Sequence, residues 1–448
     1  MLVSLVCFCL QTGFTCCLFC CCFVLLYVPS AVLKDYTHFL FYQSIGINVL
    51  VSRHRPSLNS IKMHRTQTKS SFNGIIAEMP DVAVDNFQDT DCKAYFLSHC
   101  HTDHTSGLFS KELLEHLKKD QVYIYMSEPS AAIIKHESGG TEIVEFIKPL
   151  KIGSSTIMIP CNEITETEDV YITVSLIPAG HCFGSVMFLF KTLYKDILYT
   201  GDFRISENSV PKYSQLHENG AIIELDALYI DTTFLTDKHE EFPKRSESVD
   251  TTIHHVRKWL QQNDTNQVAL HTSARYGYEF VFNKIYEKLG EKVYVGGDIW
   301  KLYSQFPNTI TGVTNDATSS RIHLCKHRTE TKSHEDCLLN QNASKSAFLY
   351  IHFSALKWTG YKTEDNMIIV KRDANYRIDV CFATHCSKSE LEYFVSYLSP
   401  RRVIGFPNDY VREKKIDSEP TDIQTVENIP EEEEKMVDEE LMKEIFGH

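Results

Sequence analysis

From residue 71 onwards, apolar runs of strand length alternate with segments that have apolar residues at helical spacing. The expected strands are rich in β-branched and aromatic residues and end at Gly, Pro, Asp or Thr. They are AYFLSH (94–99), YITVSLIPAG (171–180), SVMFLF (185–190), DILYTGD (196–202), ALYIDTT (227–233), FLYIHFSA (348–355), NMIIVKR (366–372) and RIDVCFAT (377–384).

Helical spacing of apolar residues predicts helices over 110–119, 248–263, 278–290 and 387–398. Ser110 is the expected N-cap of the first of these helices. Two short strand patterns flank the third helix, so this part of the chain is expected to contain a βαβ unit. The pattern as a whole predicts an α/β protein.

The N-terminal segment differs in composition from the rest of the chain. Residues 1–33 contain no charged side chain, and seven of the 15 cysteines lie within the first 22 residues. This length and apolarity are typical of a transmembrane or signal-like segment, but a basic region before the apolar run is missing. We therefore expect residues 1–62 to be an over-extension of the translated sequence, with Met63 as the start. A membrane anchor is the alternative.

Charge is concentrated at the C-terminal end. The 448-residue chain has a formal net charge of −14, and residues 409–448 hold 14 acidic and 5 basic side chains. The net charge argues against a broad basic surface for nucleic acid, and it leaves room for a local basic groove. The tail is expected to be disordered. It either recruits a protein partner or only increases solubility. Scattered cysteines in the body of the chain are typical of a reducing compartment.

The stretch LSHCHTDHTSGL (97–108) is the densest group of metal-binding side chains. His99, His101, Asp103 and His104 lie within six residues, between a predicted strand and a predicted helix. Imidazole and carboxylate groups are good ligands for divalent cations. A solvated polar loop is the alternative interpretation, and it does not account for so many ligands at this spacing.

Four further candidates follow strands. His181 comes after a strand in IPAGHCFGS, Asp202 in LYTGDFR, Asp231 in YIDTTF and His385 in CFATHCSKSEL. Each alone has an ordinary structural explanation as a turn cap or a packed histidine. Their repeated position at strand ends favours one shared site.

These residues suffice for a site with two cations. Three imidazoles, those of His99, His101 and His181, can hold one cation, and Asp103 and His104 can hold a second. Asp202 can bridge the two. Two cations roughly 3.5–4 Å apart can activate a water and clamp a phosphoryl group. The ligand types favour Zn²⁺, with Mg²⁺ or Mn²⁺ as alternatives at the second position.

Along the chain, the motif HxHxDH is followed by a single His and then by an Asp that can bridge two metals. This order resembles the metallo-β-lactamase superfamily. GDFR, IDTTF and THCSKSEL resemble its nucleic-acid-processing β-CASP branch, and AYFLSHCHTDH with PAGHCFGSVMFLF resembles the DNA cross-link repair nucleases. The resemblance implies an αββα sandwich with an inserted α/β cap. The implied organisation has an N-terminal extension over 1–70 and a core formed by 71–222 together with 385–408. The cap is 223–384, and the acidic tail is 409–448.

The resemblance also implies roles for individual residues. Asp85 supports the metal site without binding metal, Asp231 and His385 support catalysis or the second metal, and Asp103 accepts a proton as a bridging hydroxide attacks phosphorus. The segments SARYGYEF and HFSALKW correspond to the DNA-phosphate groove. The groove residues that this implies are Arg275, Tyr276, Ser354, Lys357 and Trp358.

Caps of one type in this family carry a structural zinc bound by two His and two Cys. His323, Cys325 and Cys337 match three of its positions, while Tyr294 stands at the second His position. His327 or His334 is an alternative fourth ligand. A second departure is Phe183, where the motif HCPG has proline.

The resemblance implies a monomeric nuclear DNA nuclease that processes ends or hairpins in double-strand break repair by non-homologous end joining. A 5′-exonuclease of cross-link repair or telomere processing is the alternative among nucleases. An inactive scaffold that recruits repair proteins is a different class, and the intact ligand set argues against it. Hairpin preference, dependence on a partner kinase and the physiological metal are not determined by the sequence.

Overall fold

The computed structural model describes residues 73–89, 91–159, 170–325, 348–360, 368–372 and 376–411. Its strands in chain order are β1 Val82–Val84, β2 Ala94–Leu97, β3 Tyr123–Ser127, β4 Ile147–Leu150, β5 Gly153–Ile159, β6 Val170–Pro178, β7 Val186–Lys191, β8 Asp196–Tyr199, β9 His217–Glu218, β10 Ala221–Ile222, β11 Ala227–Asp231, β12 Gln267–His271, β13 Val293–Tyr294, β14 Val313–Thr314, β15 Ile322–Leu324, β16 Phe348–Ser354, β17 Ile369–Arg372, β18 Arg377–Cys381 and β19 Val403–Phe406. Its α-helices are α1 Lys111–Asp120, α2 Glu128–His136, α3 Gly140–Ile143, α4 Arg245–Leu260, α5 Glu279–Leu289, α6 Gly297–Tyr303 and α7 Lys388–Leu398.

Two sheets form the central layers of a sandwich. The first is parallel, in the order β1-β2-β3-β4, and the second has the order β19-β11-β8-β7-β6-β5. Phe96 of the first sheet meets Phe188 and Phe190 of the second in edge-to-face contacts at 5.3 and 5.0 Å. Alternate residues of each strand point to opposite faces, so each sheet also has an outer face to cover.

Helices cover both outer faces. Leu113 and Leu117 of α1 are buried against the first sheet, and Leu391 and Phe394 of α7 are buried against the second. Ser110 caps α1 by accepting a hydrogen bond from the backbone N–H of Leu113 at 3.2 Å. This arrangement confirms the expected αββα sandwich.

A third sheet belongs to the inserted cap and has the order β14-β13-β15-β12-β16-β18-β17. All of its pairings are parallel except that of β17 with β18. Helices α4 and α5 cover one face with a cluster that includes Val256, Trp259, Phe282 and Ile285. The βαβ unit expected around α5 is therefore part of this parallel sheet.

One strand differs from the expected division of the chain. The strand β11 falls within 223–384, the segment assigned to the cap, yet it pairs with β8 and β19 of the second core sheet. Its residues are all buried, because both faces of this central strand are covered. The cap thus begins after β11. The sequence pattern marks the strand but not the sheet that it joins.

Among the described residues, no helix is long and apolar enough to cross a membrane. The apolar segment 1–33 and the acidic tail from residue 412 onwards lie outside the described residues, so the expectations about them are not tested by the structure.

Candidate metal centre

The loop after β2 carries the first ligands and is ordered by turns. The backbone N–H of His104 donates to the carbonyl of His101 at 3.0 Å, and that of Leu108 donates to the carbonyl of Thr105 at 3.1 Å. His99 is fully buried, and His101 and His104 are partly buried. A solvated polar loop would leave these imidazoles in water. The structure instead points them inwards.

Four donor atoms converge at the centre of the site. One ligand atom from each of His99, His101, His181 and Asp202 lies within 4.8 Å of the others. The Nε2 atoms of His99 and His101 are buried and have no hydrogen-bond partner in the structure. Unsatisfied buried polar atoms are costly, and a divalent cation at the centre would satisfy Nε2 of His99. His101 faces the other ligands with Nδ1, which lies 3.0 Å from Nε2 of His181. The residues present therefore fit a bound metal ion.

The carboxylate of Asp202 faces two sets of histidines. Its Oδ2 lies 3.6 Å from Nε2 of His99 and 3.6 Å from Nε2 of His181. Its Oδ1 lies 3.3 Å from Nε2 of His104. Because the two oxygens point to different ligand groups, the geometry suits a carboxylate shared between two cations.

Asp85 orients His104. Its Oδ2 accepts hydrogen bonds from Nδ1 of His104 at 2.8 Å, from the hydroxyl of Ser98 at 2.6 Å and from the hydroxyl of Tyr199 at 2.8 Å. Its Oδ1 accepts from the backbone N–H of Ser98 at 2.7 Å. Asp85 has φ 53°, a conformation that Asp tolerates better than most residues. A carboxylate behind a ligand histidine fixes the ring and its tautomer.

A second carboxylate–histidine pair lies on the other side of Asp202. Nδ1 of His385 donates to Oδ2 of Asp231 at 2.7 Å, and Nε2 of His385 points to Asp202 Oδ2 at 3.9 Å. Asp231 is buried, and its Oδ1 accepts from the backbone N–H and the hydroxyl of Thr233. His385 is thus held towards the centre of the site by Asp231.

Asp103 lies apart from this group. Its side chain is 63% exposed, and its Oδ2 is 4.0 Å from Nε2 of His104. The spacing of the motif places Asp103 in the loop but does not fix its rotamer. In the structure its carboxylate lies at the rim of the site and has not converged with the other ligands.

Burial and neighbouring charges determine the protonation of the site. Burial lowers the pKa of His99 and His181 well below the ordinary value. Burial also opposes protonation of His104, but Asp202 and Asp85 outweigh it and raise the pKa of His104 well above the ordinary value. For Asp202, burial opposes ionisation, and the neighbouring histidines outweigh it, so its pKa is held well below the usual range. His99 and His181 are therefore neutral beside the ionised Asp202, which are the forms that bind a metal.

The residues expected in the DNA groove are not placed as one exposed surface. Tyr276 is 3% exposed and Trp358 is 7% exposed. Trp358 packs with Phe234 and Phe242. Neither ring is exposed in the structure, and the assignment of these residues to the groove stays a prediction. Local sequence cannot show that such an aromatic side chain fills a space between distant segments.

The polar members of the expected groove are partly exposed. Arg275 forms an ion pair with Glu137, and Lys357 Nζ lies 3.2 Å from Oδ2 of the buried Asp379. Ser354 ends β16. The side chains of Arg275 and Lys357 are thus half-exposed, and each is paired with a carboxylate.

The cap zinc site is only partly visible. His323 is buried, and its Nε2 donates to the carbonyl of Ser320 at 3.0 Å. Cys325 directly follows β15, with its Sγ 3.8 Å from the carbonyl oxygen of His323, and the ring of Tyr294 lies 5.2 Å from that of His323. Cys337 and the alternative ligands at 327 and 334 lie outside the described residues. The zinc site therefore stays a prediction.

Several supporting residues were not found from the sequence. Nδ1 of His181 donates to the carbonyl of Thr384 at 2.9 Å, and the hydroxyl of Ser98 lies 3.0 Å from Nδ1 of His99. Arg245, from the first turn of α4, donates to the carbonyl of Gly180. A backbone carbonyl leaves no mark in the sequence. Ser98 could have been suspected from its position directly before His99.

Comparisons with known proteins agree with this geometry. The metallo-beta-lactamase superfamily matches residues 75–236, and the family described as DNA repair metallo-beta-lactamase matches residues 307–408. The first match contains every candidate ligand of the core site from His99 to Asp202. The second contains His385.

Protein artemis from Rattus norvegicus is 32% identical over 352 residues, which are 76% of this chain and 49% of the relative. Protein artemis from Homo sapiens is 32% identical over 348 residues, with the same coverage of 76% and 49%. The 5′ exonuclease Apollo from Rattus norvegicus is 26% identical over 351 residues, which are 74% of this chain and 54% of the relative. The chain spans about half the length of these curated relatives. The two family matches, together with the sandwich, the cap and the convergent ligands, show that this chain belongs to the DNA-repair branch of the metallo-β-lactamase superfamily.

Proposed function

We propose that this chain is a metal-dependent DNA nuclease that hydrolyses phosphodiester bonds at DNA ends or hairpins during repair of double-strand breaks by non-homologous end joining. The observation that carries the proposal is the carboxylate of Asp202, which faces His99 and His181 with one oxygen and His104 with the other. The similarity to Protein artemis supports the substrate class.

The proposed ligands divide into two sets. His99, His101 and His181 hold one cation, Asp103 and His104 hold a second, and Asp202 serves both. Bound cations supply a polarised water and positive charge next to the phosphoryl oxygens. Zn²⁺ fits the imidazole-rich set, with Zn²⁺, Mg²⁺ or Mn²⁺ at the second set.

The chain's own residues orient these ligands. Asp85 holds the ring of His104, and the carbonyl of Thr384 holds the ring of His181. Asp231 holds His385 towards Asp202. Asp103 is the proposed proton acceptor. Its carboxylate is exposed at the rim of the site, where rotation of the side chain would bring it towards the water that attacks phosphorus.

The remaining proposals concern the whole protein. A structural zinc bound by His323, Cys325 and Cys337 would stabilise the cap. The C-terminal segment 409–448 would recruit repair proteins through its acidic side chains. The similarity to DNA-repair relatives supports action on DNA in the nucleus.

A 5′-exonuclease is the second candidate, supported by the 26% identity to the 5′ exonuclease Apollo. Incubation of the full chain with hairpin DNA and with 5′-phosphorylated linear DNA, with and without EDTA, separates the two. Hairpin opening that EDTA abolishes supports the main proposal, and stepwise loss of 5′ nucleotides without hairpin opening supports the exonuclease. The absence of any EDTA-sensitive cleavage would contradict both.

A further inference from the structure

Glu279 is a buried carboxylate that the proposed mechanism does not use. It is the first residue of α5 and is 2% exposed. The hydroxyl of Tyr303 donates to its Oε1 at 2.6 Å, and the backbone N–H of Gly277 donates to its Oε2 at 3.0 Å. The backbone N–H of Phe183 also faces this carboxylate and favours its charged form, which partly offsets the rise that burial causes in the pKa of Glu279. Glu279 therefore joins two cap segments to the loop that carries His181.

The loop from Gly180 to Ser185 is held by the cap at several points. Arg245 donates to the carbonyl of Gly180. The backbone of Gly277 passes so close that a Cβ added there would lie 3.0 Å from the carbonyl oxygen of His181. With φ +106°, Gly277 also has a conformation that other residues rarely adopt. The SARYGYE segment thus packs directly against the backbone of a metal ligand.

The side chain of Phe183 makes the same connection through packing. It is 2% exposed, and its ring lies 4.9 Å from that of Phe306 and 6.3 Å from that of Tyr303, both edge-to-face. Tyr303 is therefore in contact with Phe183 by its ring and with Glu279 by its hydroxyl. A proline at position 183 would have no backbone N–H to face Glu279, and it would have no aromatic ring.

We propose that Glu279 is a positioning residue for the metal ligand His181, and that it acts through the backbone N–H and the ring of Phe183. The cap thereby helps to set the geometry of the metal centre. This inference rests on the proposed metal-dependent function. Glu279 would support that function without touching metal or substrate.

The test compares two isosteric substitutions on one helix. Glu279→Gln replaces one carboxylate oxygen by an NH₂ group, which cannot accept from Phe183, Gly277 or Tyr303. Asn283→Asp, one turn further along α5, alters a buried amide that bonds Thr309 and Gly312 within the cap. Both changes disturb buried hydrogen bonds of the cap, and only the first reaches the His181 loop.

Co²⁺ titration of the full chain, followed by visible absorption, reports on the metal centre independently of catalysis. For Glu279→Gln we expect about tenfold weaker Co²⁺ affinity and a changed absorption spectrum, as for loss of other supporting partners of metal ligands. The kcat for DNA cleavage should fall by a similar factor while KM is unchanged. Asn283→Asp should keep the Co²⁺ affinity and spectrum of the unmodified chain.

Two variants of Phe183 separate its backbone from its ring. Phe183→Ala keeps the N–H and removes the ring, whereas Phe183→Pro removes both, so the loss of Co²⁺ affinity should be larger for proline. A Glu279→Gln protein that folds and binds Co²⁺ like the unmodified chain would overturn the proposal. So would an equal loss in Asn283→Asp. An unmodified chain that binds Co²⁺ but cuts no DNA would instead overturn the nuclease function.

Discussion

Oδ1 of Asp202 lies 3.3 Å from Nε2 of His104, while its Oδ2 lies 3.6 Å from Nε2 of His99 and 3.6 Å from Nε2 of His181. This relationship places one negative charge among imidazoles from two loops, because His99 and His104 follow β2 and His181 follows β6. It also explains why burial does not neutralise Asp202, because the histidines around it favour the charged form.

Asp85→Asn should weaken the metal centre although Asp85 is not an expected ligand. The amide would turn an NH₂ group towards donors that now bond the carboxylate, and His104 would lose its orientation. We expect a loss of about 10–100-fold in metal affinity or activity, measured by metal titration and DNA cleavage. Tyr199→Phe removes only one of the donors and serves as the control, with a smaller loss. Unchanged metal affinity in Asp85→Asn would contradict this role.

Removal of metal should destabilise the protein as well as inactivate it. Nε2 of His99 is buried in the folded chain without a hydrogen-bond partner, so a cation that binds there binds the folded state preferentially. At a free metal concentration a hundredfold above Kd, binding adds about 2.7 kcal/mol to the free energy of unfolding. Thermal melts with EDTA, and after Zn²⁺ is restored, measure this difference. An identical Tm in both conditions would show that no such site exists.

Acid should destabilise the cap through His352. Burial, followed by the nearby His271, lowers the pKa of His352 from 6.5 to about 3. The unfolded chain therefore binds a proton below pH 6.5 that the folded chain does not bind until about pH 3, and stability falls as the pH falls through this window. At pH 5 the cost is about 2 kcal/mol.

The matching substitution for this prediction is His352→Gln, which removes the titrating group. Urea unfolding at pH 7.5 and pH 5 should show a smaller loss of stability on acidification for this variant than for the unmodified chain. Equal losses in the two proteins would mean that His352 does not titrate as described.

Most of the strands, the helices and the ligand cluster could be predicted from the sequence because they depend on local patterns, whereas the sandwich was implied by the resemblance to the metallo-β-lactamase superfamily. Strand and helix positions follow from apolar periodicity. The start of α1 follows from a local capping residue, Ser110, which accepts from Leu113 as expected. Ligands at strand ends could be identified one by one, and β6 and β8 end at the same edge because each pairs antiparallel with β7. His181 and Asp202 are therefore close in the structure, as the recurring pattern indicated.

Other features depend on contacts between distant segments and could not be predicted. Trp358 follows Lys357 in a segment that resembles the lining of a DNA-phosphate groove, yet it fills a space beside Phe234 and Phe242. The strand β11 has the pattern of a buried strand, which does not reveal which sheet it joins. The side-chain direction of Asp103 depends on its surroundings and is not fixed by the HxHxDH spacing.

The role of Asp202 is tested most directly by DNA cleavage with Asp202→Asn in the full chain, measured together with bound metal and the thermal melting profile. The substitution keeps the shape of the side chain and removes the charge shared by the two histidine groups. We predict at least about a 100-fold loss of cleavage, reduced metal content and a folded protein, since removal of one such electrostatic group typically costs this much. Asp103→Asn should also be inactive, with metal content less affected because its carboxylate lies at the rim. Near-normal cleavage by folded Asp202→Asn would contradict the proposed metal-dependent mechanism.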